Sequence, residues 1–378
     1  MDADALLVSG PVYFGDRGSL TQAFINFLRD DDEIRKTLKN KVYAGCSVGA
    51  KRNGGQETLL IYQLWDMVQL GCYGVGNDSE TTSQYGGTGH AGDIGTGAKD
   101  DYGHWSARGT GRRIARVAEM IKKGLDSSAK ISRLKVGFFI LQDRKNIAQE
   151  AVMELIKGND EEHEFTILDI HNNFVKRCLA CDICPTHIDV DSEYRCIIKA
   201  KNDDMSNLHE NFMNYDVVIP VTYSSVDRKG LKSNYQKFIE RTRYIRRGDY
   251  VMSDIISSPL VIEDLDSNEN MALRSLTSTL RHHTIVRKPL ILKRHGEKLL
   301  NLDKIKDDFS NLMRQAIITT TGKLEFYSNK VDHLGYNPVG YVLAPVKDAE
   351  DKKIGTRLKM LDDRLARYQK EKEERINT

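Results

Sequence analysis

The sequence predicts an α/β fold: doubly wound parallel sheets in two tandem copies, the first lacking its N-terminal half, followed by a C-terminal amphipathic helix. Three observations carry this. Short apolar runs alternate with helical patterns along most of the chain, which means a parallel sheet covered on both faces. A composite pattern occurs twice. Asp4-Ala-Leu-Leu-Val, Tyr13 and Gln22-Ala-Phe24-Ile25 are matched by Asp216-Val-Val-Ile-Pro-Val, Tyr223 and Gln236-Lys-Phe238-Ile239. In the second occurrence residues 134–215 precede the repeated strand, whereas in the first only Met1, Asp2 and Ala3 do. The reading at this level is a truncated sequence or a partner chain that supplies the missing half-domain.

The elements follow in order. Ala5–Val8 reads as a buried strand, and Leu20, Phe24, Ile25 and Leu28 as the face of a helix that ends at Asp30–Glu33. Val42–Cys46 is a second strand. The loop Ser47–Gln56 precedes a helix carrying Leu59, Leu60, Leu64, Met67 and Val68, closed by Gly71. Cys72–Val75 is a third strand. The glycine-rich stretch to Gly103 contains Tyr85, His90, Tyr102, His104 and Trp105, a composition of an ordered functional loop. A helix is expected from Ser106 to Lys123, and residues 124–133 read as a linker. Beyond it come strands at Val136–Leu141, Phe165–Ile170, Val217–Val221, Leu260–Ile262 and Thr284–Leu292. Helices are expected at Ile147–Ile156, Met205–Met213, Leu231–Arg243, Met271–Leu280 and Leu302–Ile317. Five β–α units in 134–320 make one complete doubly wound domain of the flavodoxin type. The expected division is 1–125 (partial), 134–320 (complete) and a tail, 321–378, with Ile354, Leu358, Leu361, Leu365 and Tyr368 on one helix face, for packing on its own domain or on another subunit.

Composition narrows the partners. The 56 basic and 54 acidic residues balance to +2, which argues for no nucleic-acid and no membrane partner. No run reaches the roughly 18 apolar residues of a transmembrane helix. The acidic N-terminus is not a signal-peptide n-region. Six cysteines in 378 residues are too few for a disulfide scaffold. A cytoplasmic protein is expected.

In doubly wound folds ligands sit at the carboxyl ends of the strands, where three loops of the first region fall. Pro11-Val12-Tyr13-Phe14-Gly15 is a rigid turn able to present backbone N–H groups and a ring to a flat ligand, or an ordinary strand-to-helix turn. Ser47-Val48-Gly49-Ala50-Lys51-Arg52-Asn53-Gly54-Gly55-Gln56 places donors and a Lys-Arg pair ahead of a helix N-terminus, suited to an electron-rich ring or an anion. The third is Tyr85-Gly-Gly-Thr-Gly-His90-Ala-Gly-Asp-Ile-Gly95. In the second copy the first loop, Gln142-Asp-Arg144-Lys145-Asn146, lacks the Gly, Ser and Thr donors expected around a phosphate, with Arg144, Lys145 and Asn146 as the alternative contacts for one. The counterpart of the second loop is acidic, Glu263-Asp-Leu-Asp-Ser-Asn-Glu269, so this copy reads as degenerate.

Taken together, Pro-x-Tyr-Phe-Gly, Asn-Gly-Gly-Gln-Glu, Tyr-Gly-Gly-Thr and Ser106-Ala-Arg-Gly-Thr-Gly-Arg-Arg-Ile-Ala resemble the FMN-dependent NAD(P)H oxidoreductases. Within these, residues 4–122 are most similar to the tryptophan-repressor-binding-protein type of quinone reductase and to NADPH-dependent FMN reductases. The resemblance implies that Pro11–Gly15 and Ser47–Gln56 line the FMN isoalloxazine and that Tyr85 and His90 lie near the ring or the substrate pocket. The family's phosphate-binding loop follows a strand that this copy does not have.

Cys178-x2-Cys181-x2-Cys184-Pro, with Cys196 eleven residues on, sets thiolates where they can converge on a metal or cluster. With Asp203-Asp204-Met205 behind it, the segment resembles the iron–sulfur flavoproteins, which implies a [4Fe–4S] cluster; structural zinc and unmetallated thiols are the alternatives. Cys46 and Cys72 read as core residues, and His282-His283 as a surface or capping pair.

The expected function is flavin-dependent oxidoreduction: electrons pass from NAD(P)H through FMN to a quinone, a free flavin or an iron–sulfur carrier. Lys51, Arg52 and His90 are the candidate side chains, and a homo-oligomer is expected. The alternative is a non-catalytic scaffold that binds a partner protein and holds zinc at the cysteines.

Overall fold

The computed structural model describes residues 2–78, 83–158, 161–181, 196–198, 203–209, 215–243, 252–327 and 365–376. In chain order the elements of the first region are β1 (Ala5–Tyr13), β2 (Asp16–Arg17), α1 (Ser19–Asp30), α2 (Asp32–Leu38), β3 (Val42–Gly49), α3 (Gln56–Gln69), β4 (Tyr73–Gly74), β5 (Gly87–His90) and α4 (Asp101–Asp126). The second region holds β6 (Lys135–Gln142), α5 (Ile147–Ile156), β7 (Glu164–Leu168), α6 (Met205–Leu208), β8 (Val217–Ser224), α7 (Asn234–Arg241), β9 (Ile256–Ser257), β10 (Leu260–Asp264), α8 (Met271–Leu280), β11 (Ile285–Val286), β12 (Leu290–His295), β13 (Lys298–Leu299) and α9 (Leu302–Tyr327). Residues 365–375 form a last helix, α10. No described helix is long and apolar enough to cross a membrane.

β9 and β10 flank Ser258-Pro259 and take successive stretches of one edge of β8. β11 and β12 likewise flank a short break ending in Pro289 and line up beside them. Proline has no N–H for the ladder, so each strand is interrupted there. The second region thus runs β7-β6-β8-(β9/β10)-(β11/β12), all parallel. This is the flavodoxin order, 2-1-3-4-5. The first region runs β1-β3-(β4/β5), also parallel, and corresponds to strands 3, 4 and 5 alone.

The sequence suggests two sheets, but the structure joins them into one. β4 and β11, the last strands of the two copies, pair antiparallel at Gly74 and Val286, giving a continuous sheet of 13 described strands. Over this joint α4 and α9 cross at Gly124 and Gly322. A Cβ on Gly124 would lie 1.9 Å from the Ile318 carbonyl, and one on Gly322 would lie 1.9 Å from that of Met120. Each glycine meets the residue four before the other, as an approximate two-fold relation requires. Arg113 of α4 reinforces the joint: it pairs with Asp254 and donates to the His283 carbonyl at 2.6 Å, while Tyr327 also donates to Asp254. Burial pushes the Asp254 carboxyl up, but Arg113 and Tyr327 outweigh it and hold the carboxyl below its ordinary value.

Several elements differ from expectation. α2 follows where only a charged helix end is read, because Asp31 accepts from the Ile34 N–H and caps a new helix. α4 extends into the expected linker, and α9 runs beyond residue 320 to Tyr327. His282 and His283 are both buried; their N–H groups close the end of α8 on the Thr279 and Leu280 carbonyls. Cys46 and Cys72 are buried in the core, and burial pushes the Cys72 thiol up to about 12. α10 packs on its own chain: Tyr368 stacks 5.0 Å from Tyr327, and Arg375 pairs with Asp216 at 2.6 Å. Ile354, Leu358 and Leu361 lie outside the described residues.

Candidate functional site

At the carboxyl ends of β3 and β5 lies a cleft of ≈ 580 Å³, lined by Arg52, Asn53, Gly55, Gln56, Glu57, Thr58, Ser83, Thr88 and Tyr102. Gln56, the first residue of α3, organises it. Its Nε2 donates to the Lys51 carbonyl at 2.8 Å and to the Gly89 carbonyl at 3.0 Å, so one side chain ties the loop to β5. Ser47 Oγ donates to the Gln56 carbonyl at 3.1 Å from below. Gln56 Oε1 is buried and has no hydrogen-bond partner. A buried acceptor in that state costs about 1–3 kcal/mol unless a ligand or water supplies an N–H or O–H.

Arg52 is clasped on three sides. Its Nη1 donates to the Thr88 carbonyl at 3.1 Å, its guanidinium pairs with Asp100, and its Cζ stands 5.0 Å from the centre of the Tyr102 ring. Asp100 also caps α4 by accepting from the Gly103 N–H at 3.1 Å, and it accepts from the His90 N–H at 2.6 Å. Burial raises the Asp100 carboxyl, but those two N–H groups and Arg52 overcome it, so the net displacement is downward. A fixed cation therefore stands at the rim of the cleft, and its counter-charge stays ionised at neutral pH.

Of the residues named from sequence, Arg52, Asn53, Gly55 and Gln56 line the cleft. Ser47, Gly49 and Gly54 back it; a Cβ on Gly49 would lie 2.6 Å from Gln56 Nε2. Val12 and Gly15 pack against Gly55, where a φ of 104° and a Cβ that would lie 2.7 Å from Gly15 Cα both require a glycine. Pro11, Tyr13, Phe14 and Val48 stand exposed beside it, Tyr13 at 59%. Lys51 contributes its carbonyl, and its side chain is exposed. His90 contributes its N–H to Asp100. Tyr85 packs in the core cluster around Leu64 and Leu280, away from the cleft. Thr88, of the Tyr-Gly-Gly-Thr motif, lines the cleft, whereas Ser83 and Asp100 are candidate-site residues that motif reading missed. Asp100 carried one signal, a capping residue directly before a helix.

The equivalent crevice of the second copy is filled by its own side chains. Asp143 occupies the N-terminus of α5, where its carboxylate accepts from the N–H groups of Arg144, Ala148 and Gln149 at 2.6, 2.9 and 3.3 Å. Those are the donors a helix N-terminus offers to a phosphate. Arg144 turns away from that position to Ser225 and the carbonyls of Asp227 and Lys229. Tyr223 is buried, with Arg144 and Arg294 at 5.5 and 5.7 Å from its ring centre. The acidic loop is neutralised internally: Glu263 pairs with Lys293, Asp264 with Arg294, and Glu269 with Arg228.

The cysteine segment is anchored by α7. Arg241 pairs with Asp203 at 2.6 Å, both side chains fully buried, and the Cys178 N–H donates to Glu240 at 3.0 Å. Cys181 is exposed, Cys196 is buried in an apolar cluster, and Cys184 lies outside the described residues. Among the described residues no three His, Cys, Asp or Glu side chains converge as a metal site.

No family model matches the chain. Over 125 residues, 32% of its length, it is 38% identical to an iron–sulfur flavoprotein of Methanocaldococcus jannaschii, covering 62% of that protein. Over 129 residues, 33% of its length, it is 34% identical to the iron–sulfur flavoprotein of Methanosarcina thermophila, covering 61%. The chain therefore spans about three fifths of the curated relatives it matches, and over that stretch the resemblance to iron–sulfur flavoproteins holds. Similar solved structures include azoreductase AzrA, 11% identical with a TM-score of 0.32, over 49% of this chain and 98% of that one. Another is a WrbA-like flavodoxin from Agrobacterium tumefaciens, 9% identical with a TM-score of 0.28, over 51% and 98%. Scores so low carry no weight beside the strand order.

Proposed function

We propose that the chain is a flavin-dependent oxidoreductase that takes electrons from NAD(P)H onto FMN in the first-copy cleft and passes them to a quinone, a free flavin or an iron–sulfur carrier. The observation that carries this reading is the unpartnered Gln56 Oε1, buried in a strand-end cleft beside a clasped arginine. A flat ring with an N–H at its edge satisfies that oxygen, and the names of the two curated relatives support a flavin as the ring.

The residues present fit the ring portion of FMN. Gln56 offers the acceptor, the glycines at 54 and 55 let backbone approach, and Tyr13 stands exposed at the neighbouring strand end. They do not fit its phosphate: among the described residues no strand lies outside β1 to carry a phosphate loop, and the α5 N-terminus holds Asp143. When bound, FMN supplies the hydride acceptance and single-electron release. The chain's own part is positional. Gln56 orients a ring edge, and Arg52, fixed by Asp100, places a positive charge beside it without needing to reorganise. Cys178, Cys181, Cys184 and Cys196 are the candidate ligands of a [4Fe–4S] cluster, with zinc as the alternative.

Titration of the purified full chain with FMN, followed by flavin fluorescence, tests the reading. Saturable binding is expected, with Gln56→Leu weakening it about tenfold, the equivalent of one lost hydrogen bond of about 1.4 kcal/mol. No binding by the unaltered chain, or full binding by the Leu variant, refutes it. NADPH and NADH oxidation by the FMN-loaded chain then identifies the donor, and iron, sulfide and zinc analysis settles the cysteines.

A further inference from the structure

The joint between the two copies contains a buried charge that neither crevice uses, and the repeat fixes its place. Val42 and Ile256 donate to the carbonyls of the repeated aspartates, Asp4 and Asp216, at 3.2 Å. Val42 stands beside Tyr73 and Ile256 beside Ile285, so Tyr73 corresponds to Ile285, Gly74 to Val286 and Val75 to Arg287. The next bonds agree: Val75 donates to the Tyr43 carbonyl and Arg287 to that of Ser257, each at 2.9 Å. Because Gly74 and Val286 pair antiparallel, Val75 comes opposite Ile285 and Tyr73 opposite Arg287. On one side of the joint, then, two buried apolar residues meet. On the other an arginine, 3% exposed, lies over the tyrosine ring with its Cζ 3.9 Å from the ring centre.

Among the described residues Arg287 has no counter-ion, and nothing accepts a hydrogen bond from its buried Nε and Nη1. The carboxylates of this region are taken: Asp254 by Arg113 and Tyr327, and Asp308 by Lys288. The ionisable groups close enough to act on the guanidinium are Tyr73 and Cys72. Burial pushes both up, the Cys72 thiol to about 12, so neither is negative at neutral pH. The Tyr73 ring attracts the flat face of the guanidinium, but the N–H groups lie along its edge and stay open. A guanidinium keeps its proton inside a protein, and a cation taken out of water needs a partner. The joint itself does not demand the charge, since Val75 and Ile285 build the equivalent pair without one.

We propose that Arg287 holds a small monovalent anion, of the size of chloride, inside the joint. A guanidinium is weakly hydrated and pairs readily with an anion that also sheds water easily. The near-complete enclosure favours an ion of one atom over a phosphate or a carboxylate. Bound there, the anion neutralises the charge that otherwise opposes the meeting of the two copies. The proposal does not rest on the flavin reading, because neither crevice contributes a residue to it.

The test is thermal unfolding of the full chain in sodium gluconate, with chloride exchanged in stepwise at constant ionic strength. Chloride is expected to raise the melting temperature saturably, by about 2–4 °C. In Arg287→Val, which sets opposite Tyr73 the residue that Ile285 meets in Val75, that dependence is expected to vanish. Crystals of the unaltered chain grown in bromide are expected to show an anomalous peak in contact with the Arg287 guanidinium. Equal unfolding in chloride and gluconate overturns the proposal and makes water the partner of those N–H groups. A chloride effect that survives in Arg287→Val overturns it too, as does a bromide map with no peak at the guanidinium. If the valine variant does not fold, the bromide map of the unaltered chain decides.

Discussion

Tyr13 stands 59% exposed at the end of β1, while Tyr223, the tyrosine of the second copy, is buried against two arginines. The same opposition runs through the rest of the two strand-end regions. In the first, Gln56, whose buried Oε1 has no hydrogen-bond partner, lines a cleft at the strand ends. In the second, Asp143 sits on the helix N-terminus, and the acidic loop is matched by Lys293, Arg294 and Arg228. Both regions share strand type, strand direction and the position of the crevice. The difference between the two crevices is therefore carried by a few loop side chains.

The largest expected effect concerns whether the regions are one unit or two. Arg113→Met leaves Asp254 charged and buried without its cation, and breaking such a pair costs about 3–5 kcal/mol. Urea unfolding followed by circular dichroism should keep a single transition, shifted by that amount. Two separated transitions would show that the copies are only tethered. Next, Gln56→Leu should weaken FMN binding about tenfold, whereas Glu269→Gln in the filled crevice should leave it unchanged. Equal losses from both would erase the distinction between the two crevices.

A smaller effect is expected from Asp143→Ala, which removes the carboxylate from the start of α5 and should lower stability by about 1 kcal/mol, the scale of a lost helix cap. If instead stability rises, the plug is strained rather than supportive. The smallest is a pH effect common to both regions. Asp254 and Asp100 are held below the ordinary carboxylate value, so each contributes stability that is fully present above the unfolded value near about 3.9. That contribution is lost as pH falls through the lower folded values. Acid titration of the unfolding free energy should show a steeper fall in the unaltered chain than in Asp254→Asn.

Much of this architecture was legible in the residues. The alternation of apolar runs and helical faces located the strands, and the Tyr and Gln-x-Phe-Ile pattern is written twice in the residues. Asn53, Gly55 and Gln56 were readable because a loop that ends in a helix N-terminus needs small residues and donors there. Asp100 was not, since it acts through a partner that the chain brings near only by folding: it meets Arg52 across 48 positions of sequence. The histidine pair caps α8 as one of its two readings has it, but it is buried rather than at the surface, which local sequence does not record.

By itself, the sequence determined the class of the fold and the repeated strand, tyrosine loop and helix, because each is written in local period and repeat. Tertiary structure decided what those local rules leave open. The two sheets merge at Gly74 and Val286, two glycines let α4 and α9 cross at van der Waals contact, and Asp143 turns back onto its own helix. These depend on which distant backbone comes within a few ångströms, and periodicity along a chain carries no record of that distance.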